Sequence, residues 1–389
     1  MRAATRPSTV RQLTANLIAL LLSIAVLWGI GEVVVRLATP PPDAGDLTEP
    51  LPNSPRVYRL RPGSVARRSG ISVRINSGGF RDREYPRTKP PGVFRILLLG
   101  DSFTMGLGVP AESTYAKRLE RSLAAPPVRA LVSAAGRDSV ETLNFGVGGY
   151  NTLQERLFLE EIGFGYAPDL VVVGVNLNDV YDERGRVVRT EGGVVEHRDL
   201  GASDGGSPIR RFRRTITATS RFASFLDYRL DQLRRRLRED SGADTRFNEL
   251  FRTDNPGYAS LTRELAAIRD ACAAHGAGFL AALLPNMTNL DAEYPYRAAH
   301  AALAASADSA GLPFVDLLAG FLGRKPETLW VSWENPHPNA AGQAILAEGL
   351  LACLKERRLG PFSGPSAPTP SDFLPPATPD RPATTGRSP

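Results

Sequence analysis

The sequence predicts an α/β protein in which a parallel, five-stranded sheet is covered by helices on both faces, preceded by one membrane-crossing helix. Two observations carry this expectation. Short apolar runs alternate with stretches of helical period, the pattern of a parallel sheet buried on both sides. Near the start, Leu13 to Val35 reads LTANLIALLLSIAVLWGIGEVVV, long enough to span a hydrocarbon core of about 30 Å as a helix.

Taken in order, residues 1–38 are expected to form a cytoplasmic stub and anchor. Arg2, Arg6 and Arg11 precede the apolar stretch and place its amino end inside by the positive-inside rule. Glu32 is costly at a bilayer centre and tolerable at the interface, where the stretch ends. Arg36, two residues before Ala38, spoils the obvious signal-peptidase site. Residues 39–75, opening with the Pro-rich Thr39 to Pro55, are expected as an extended tether. A globular domain follows over 76–358. Its strands are expected at 94–100 (FRILLLG), 140–146 (VETLNFG), 169–176 (DLVVVGVN), 278–285 (GFLAALLP) and 313–318 (PFVDLL). Between them, Tyr115, Leu119 and Leu123 mark one helix face, and Leu261, Leu265, Ile268 and Cys272 another. Asn151 or Thr152 is expected to cap a helix, with Glu155 completing a capping box. A final helix runs through Ala344 to Leu354.

The stretch 181–255 interrupts the alternation. Phe222, Leu226, Leu230, Leu233 and Leu237 recur in it at roughly helical spacing among arginines. That pattern fits a cap helix packed on the domain, or a cationic lid facing an anionic glycan or lipid headgroups. Residues 359–389 are rich in Pro, Ser and Thr and are expected to be disordered. The formal charge of +6 would suit nucleic acid, but a domain outside the inner membrane argues against that partner. Cys272 and Cys353 fall at apolar helical positions and are expected as buried free thiols. No cluster of cysteines and histidines has zinc-like spacing, and no cofactor is expected.

In an open parallel sheet, ligands bind beyond the carboxyl ends of the strands. Four segments fall there: GDSFTMG (100–106), NFGVGG (144–149), NLND (176–179) and ENPHPN (334–339). Acyl transfer from an ester needs a nucleophile, a base and donors for the oxyanion. Ser102, at a strand-to-helix turn, supplies the first and His337 the second. Glu334, three residues before His337, is expected to orient the imidazole, with Asn335 secondary because a neutral amide fixes only the tautomer. The backbone N–H groups of Ser102 and Gly149 and the Asn178 amide make a three-donor oxyanion hole. Asp101 and Asp179 are expected to hold their loops, and Tyr150 is placed at the pocket mouth or on the surface. His197, His275 and His300 stand away from strand ends.

These four segments resemble the SGNH/GDSL hydrolase family. Gly100-Asp101-Ser102 matches its first block, Gly149 its second-block glycine, Asn178 its third-block asparagine and His337 its fifth-block histidine. The upstream GGFRDREYPRTKPPG is similar to the lead-in of membrane-anchored bacterial members. The resemblance implies a flavodoxin-like three-layer α/β/α fold, catalysis without metal, and ester substrates, often acetyl groups on carbohydrate. Two departures stand out. Asn176 occupies the place of the third-block glycine, and Glu334 that of the fifth-block aspartate. The expected function is a periplasmic serine esterase acting on an acylated glycan or small ester. An O-acyltransferase acting on an extracytoplasmic polysaccharide, or a non-catalytic glycan-binding module, would share the motifs.

Overall fold

The computed structural model describes every residue except 1–8, 40–44, 53, 181–185, 192–193, 200–207, 238–247, 292, 334 and 364–389. Helix α1 (Thr9–Ala38) leads the chain, and most of its large apolar side chains are exposed. Two antiparallel hairpins follow, β1 (Thr48–Pro50) with β2 (Tyr58–Leu60) and β3 (Val65–Arg68) with β4 (Ile71–Arg74). The tether expected over 39–75 therefore gives way to folded chain from Leu47 onward. Tyr58 and Leu60 alternate with exposed Arg59, and with Leu47, Val73 and Ile75 they enter the main core.

The central chain then runs β5 (Val93–Gly100), α2 (Ser102–Met105), α3 (Tyr115–Ala124), α4 (Pro126–Ala134), β6 (Ser139–Gly146), α5 (Thr152–Glu161) and β7 (Leu170–Val175). The insertion contributes the hairpin β8 (Arg186–Glu191) and β9 (Val194–Asp199), then α6 (Pro208–Thr219) and α7 (Arg221–Leu237). The alternation resumes with α8 (Pro256–Ala274), β10 (Gly278–Leu283), α9 (Arg297–Ser309) and β11 (Phe314–Asp316). A short antiparallel pair, β12 (Trp330–Ser332) and β13 (Asn335–Pro338), leads into α10 (Ala340–Glu356).

Five strands pair in parallel in the order β11–β10–β7–β5–β6. Both faces are dry. In β5, Leu97 and Leu99 enter one core cluster while Phe94, Ile96 and Leu98 enter the other. Each such fully buried side chain is worth roughly 1.5–3 kcal/mol relative to an exposed one. The first cluster lies under α5, α8 and α9 and the second under α3 and α10, giving three layers. From β5 the chain goes to β6 on one side and then crosses to β7 on the other. The strand order thus reverses at β5, the point at which an open parallel sheet binds ligands beyond its strand carboxyl ends.

Two local expectations need correcting. Asn151 caps α5, but Gln154 and not Glu155 closes the capping box, because the third helical residue after Asn151 is Gln154. Glu155 is instead fully buried, with both carboxylate oxygens lacking a hydrogen-bond partner. Burial, with Asp179 and Asp101 nearby, holds its pKa well above the carboxylate range. The carboxyl-terminal tail also starts later than 359. Leu359 is buried in the core beside a short turn at Gly360–Phe362, and 364–389 lie outside the described residues. Cys272 and Cys353 are buried free thiols.

Candidate active site

Ser102 is the first residue of α2, immediately beyond β5. Asp101 caps that helix, its Oδ1 accepting the Phe103 N–H at 2.8 Å. The helix packs hard against β6 at Gly146, where a Cβ would come within 2.1 Å of the Met105 nitrogen. Its far end is gripped by the buried Arg81, whose guanidinium donates to the carbonyls of Met105, Gly106 and Val109. Ser102 is thus held on a rigid corner at the topological switch point.

His337 arrives from β13. Its Nε2 lies 2.8 Å from Ser102 Oγ. Asn335 fixes the ring from behind. Its Oδ1 accepts the His337 backbone N–H at 3.3 Å and also meets His337 Nδ1. A backbone N–H can only donate, so the amide must present oxygen and not nitrogen to His337. It follows that Nδ1 carries the proton and Nε2 keeps the lone pair that can accept the Ser102 hydroxyl proton. The other end of the amide is also occupied, Nδ2 donating to Ser69 Oγ in the β3–β4 turn at 3.0 Å. Glu334, expected as the orienting carboxylate, lies outside the described residues. Behind the loop, Asn339 caps α10 by accepting from Ala341 and Gly342. Gln343 ties α10 to α2 by donating to the Phe103 carbonyl at 3.0 Å.

Burial lowers the His337 pKa to about 4, so the imidazole is a free base across the neutral range. Protonation abolishes its capacity to take a proton, so activity should fall as pH drops through the folded value. The acid limb of kcat/KM for an ester should accordingly lie well below the ordinary histidine value of about 6.5. A limb centred at about 6.5 would mean that the ring is solvated in the working enzyme.

The expected oxyanion donors come from two loops. Val147 to Tyr150 form a tight turn closed by the Tyr150 N–H on the Val147 carbonyl at 3.1 Å. Gly149 takes a φ of 80° at its third position, a left-handed conformation in which a side chain would be strained. The preceding peptide is held by Tyr58, whose hydroxyl donates to the Gly148 carbonyl at 2.7 Å. A Cβ on Gly148 would lie 3.8 Å from Ser102 Cβ, which places this turn beside the nucleophile position. Asn178 stands in a short 3-10 turn, Leu177–Val180, beyond β7. Its Nδ2 is 3.4 Å from Asp101 Oδ2, a long tether that leaves the amide ready for a better acceptor.

Asn176, the residue replacing a family glycine, donates from Nδ2 to Asp101 Oδ1 at 2.6 Å. Asp179 braces the same loop by accepting the Asn176 N–H at 2.9 Å. Asp101 therefore knits the Ser102 and Asn178 loops together. Burial pushes its carboxyl pKa up, against hydrogen bonds from Phe103, Asn178, Asn176 and Ser102 that favour the carboxylate.

The structure therefore brings Ser102 and His337 into direct contact and joins Asn178 to them through Asp101. Sequence reasoning ranked Asn335 behind Glu334, read Asn176 only as a departure from the motif, and missed the three grips from the amino-terminal segment at Tyr58, Ser69 and Arg81. Only Asn335 left a local signal, since asparagine commonly bonds the backbone two residues on. Tyr150 is neither at a pocket mouth nor on the surface: it is buried, its hydroxyl donating to the Tyr58 carbonyl. His300 pairs with Asp316 at 2.8 Å and His275 ends α8, both away from this cluster. Among the described residues no group of three or more His, Cys, Asp or Glu side chains is placed to hold a metal ion.

The sequence matches the GDSL-like lipase/acylhydrolase family over residues 98–345. No curated protein sequence matches it significantly. Solved structures similar to it include TesA, at 18% identity and a TM-score of 0.39 over 67% of this chain and 98% of that one. An acetylxylan esterase from Geobacillus stearothermophilus is 15% identical, with a TM-score of 0.38 over 67% and 94%. A two-domain esterase active on acetylated mannans is 15% identical, with a TM-score of 0.37 over 72% and 52%.

Proposed function

That the chain belongs to the GDSL-like lipase/acylhydrolase family is the premise from which we propose a serine esterase. It removes O-acyl groups, foremost acetyl, from a carbohydrate or small alcohol. The observation that carries this reading is the 2.8 Å approach of His337 Nε2 to Ser102 Oγ, with Nδ1 already committed to Asn335. In this reading His337 takes the Ser102 proton as Oγ attacks the ester carbonyl. The oxyanion is received by the Ser102 and Gly149 N–H groups and the Asn178 amide. The imidazolium returns its proton to the leaving alkoxide, and water repeats the cycle on the acyl-serine.

The test uses the purified full chain in detergent. A fluorophosphonate should label Ser102 stoichiometrically, and acetyl esters should be hydrolysed without added metal. Absence of both would leave a non-catalytic glycan-binding module. Acyl transfer to an added glycan in preference to water would make it an O-acyltransferase.

Asn178 should matter in the transition state and little in substrate binding, since its amide is aimed at charge that develops later. Asn178→Ala should lower kcat by about 10²–10³-fold with KM nearly unchanged. A main effect on KM would make Asn178 a substrate contact instead.

Among the described residues one helix, Arg11–Ala38, is long and apolar enough to cross a membrane, its most apolar 18 residues having a mean hydropathy of 2.4 and being almost wholly exposed. We read it as a single-pass inner-membrane anchor that holds the domain in the periplasm.

A further inference from the structure

Helix α7 carries two apolar faces. One is used within the domain: Phe225 and Tyr228 pack on Trp333, at ring separations of 5.4 and 5.2 Å. Trp333 stands two residues before Asn335, so this face supports the loop that carries His337. The other face is the stripe Phe222, Leu226, Leu230 and Leu233, set at helical spacing. Only its first member is covered. Leu226, Leu230 and Leu233 are 37%, 50% and 52% exposed.

What covers Phe222 shows where the stripe leads. Its ring meets Trp28 of α1 edge-on at 5.4 Å and lies against Gly31. Glu32 fixes the same junction. Its carboxylate accepts from Ser220 Oγ at 2.8 Å, from the Phe222 N–H at 3.0 Å and from the Arg221 N–H at 3.2 Å. Arg221 in turn donates to Thr39 at the end of α1. The roughly 20 residues from Leu13 to Glu32 rise about 30 Å, the thickness of a hydrocarbon core. Helix α7 therefore starts level with the outer boundary of the proposed span. Exposed Arg229 flanks the stripe, and α6 adds an exposed Phe212 amid Arg210, Arg211, Arg213 and Arg214 of the sequence. Apolar stripes edged by arginine are the composition of helices that lie in a lipid interface.

We propose that α6 and α7 form an interfacial helix pair seated on a phospholipid bilayer with anionic headgroups. Leu226, Leu230 and Leu233 enter the acyl boundary, and Trp333 passes that seating to the rim of the Ser102–His337 site. The inference rests on reading α1 as a membrane anchor, so its test must separate the two.

Full-length chain is reconstituted in phosphatidylcholine vesicles with and without phosphatidylglycerol. Single spin labels are placed through Leu226→Cys, Leu230→Cys and Leu233→Cys. Leu20→Cys reports the span, and Arg263→Cys, on exposed α8 surface, reports water. The readout is collision with oxygen, which concentrates in lipid, against a water-soluble nickel chelate. In anionic vesicles the three stripe labels should show an oxygen-to-nickel ratio several-fold above that of Arg263→Cys, and the ratio should drop without phosphatidylglycerol. Stripe labels as nickel-accessible as Arg263→Cys, with Leu20→Cys in lipid, would overturn the interfacial seating and leave the anchor standing. A nickel-accessible Leu20→Cys would overturn both.

Discussion

Replacing Ser102 with alanine is expected to abolish ester hydrolysis, lowering kcat by about 10⁴–10⁶-fold, the range for removing a nucleophile that works as a unit with its base. The fold should survive. Ser102 is half-buried, and among the described residues its hydroxyl hydrogen-bonds with His337 and, at 3.5 Å, with Asp101. Asp101, not Ser102, caps α2, and the grips of Arg81 and Gln343 on that helix reach backbone carbonyls that alanine keeps. The melting temperature should therefore stay within a few degrees of wild type, since a half-buried hydroxyl is worth about 1 kcal/mol or less. Fluorophosphonate labelling should vanish with activity. Wild-type turnover in a carefully purified Ser102→Ala protein would place the nucleophile elsewhere.

Much of the catalytic layer was legible because its signals are local. Continuous apolar runs such as Leu170–Val175 can be satisfied only by a strand covered on both faces, and all five expected strands are present. The position of Ser102 followed from the same logic, since a parallel sheet leaves its crevice at strand carboxyl ends. The amino-terminal segment was illegible for the opposite reason. Its strands are three or four residues long, and proline runs to Pro55, so the composition reads as tether. Its burial comes from contacts distant in sequence. Tyr58 reaches Gly148 and Arg81 reaches Met105, and no period in the chain announces either. Asn176 is a similar case. As a departure from a family glycine it carried no expected role, yet its amide holds the residue beside Ser102.

The orientation of His337 supports the second large expected effect. Spacing from the histidine assigns the role to Glu334, whereas the group on Nδ1 among the described residues is the Asn335 amide oxygen. Asn335 is a positioning residue in this reading: it touches no substrate and acts through the tautomer of His337. Asn335→Leu removes the acceptor at similar size. It should lower kcat by about 10²–10³-fold with KM little changed, short of the roughly 10⁴-fold loss when a triad histidine is forced into the wrong tautomer. Ser69→Ala, which leaves the Asn335 oxygen in place, should cost far less. Asn335→Asp keeps the acceptor and adds a negative charge that favours the imidazolium. It should retain activity while moving the acid limb of kcat/KM upward in pH, because a nearby anion raises the histidine pKa from its buried value of about 4. A bystander asparagine would leave that limb where it was. Glu334→Gln should be nearly silent. If Glu334→Gln instead collapses kcat while Asn335→Leu is mild, the carboxylate is the orienter after all, and the Asn335 contact serves only to shape the loop.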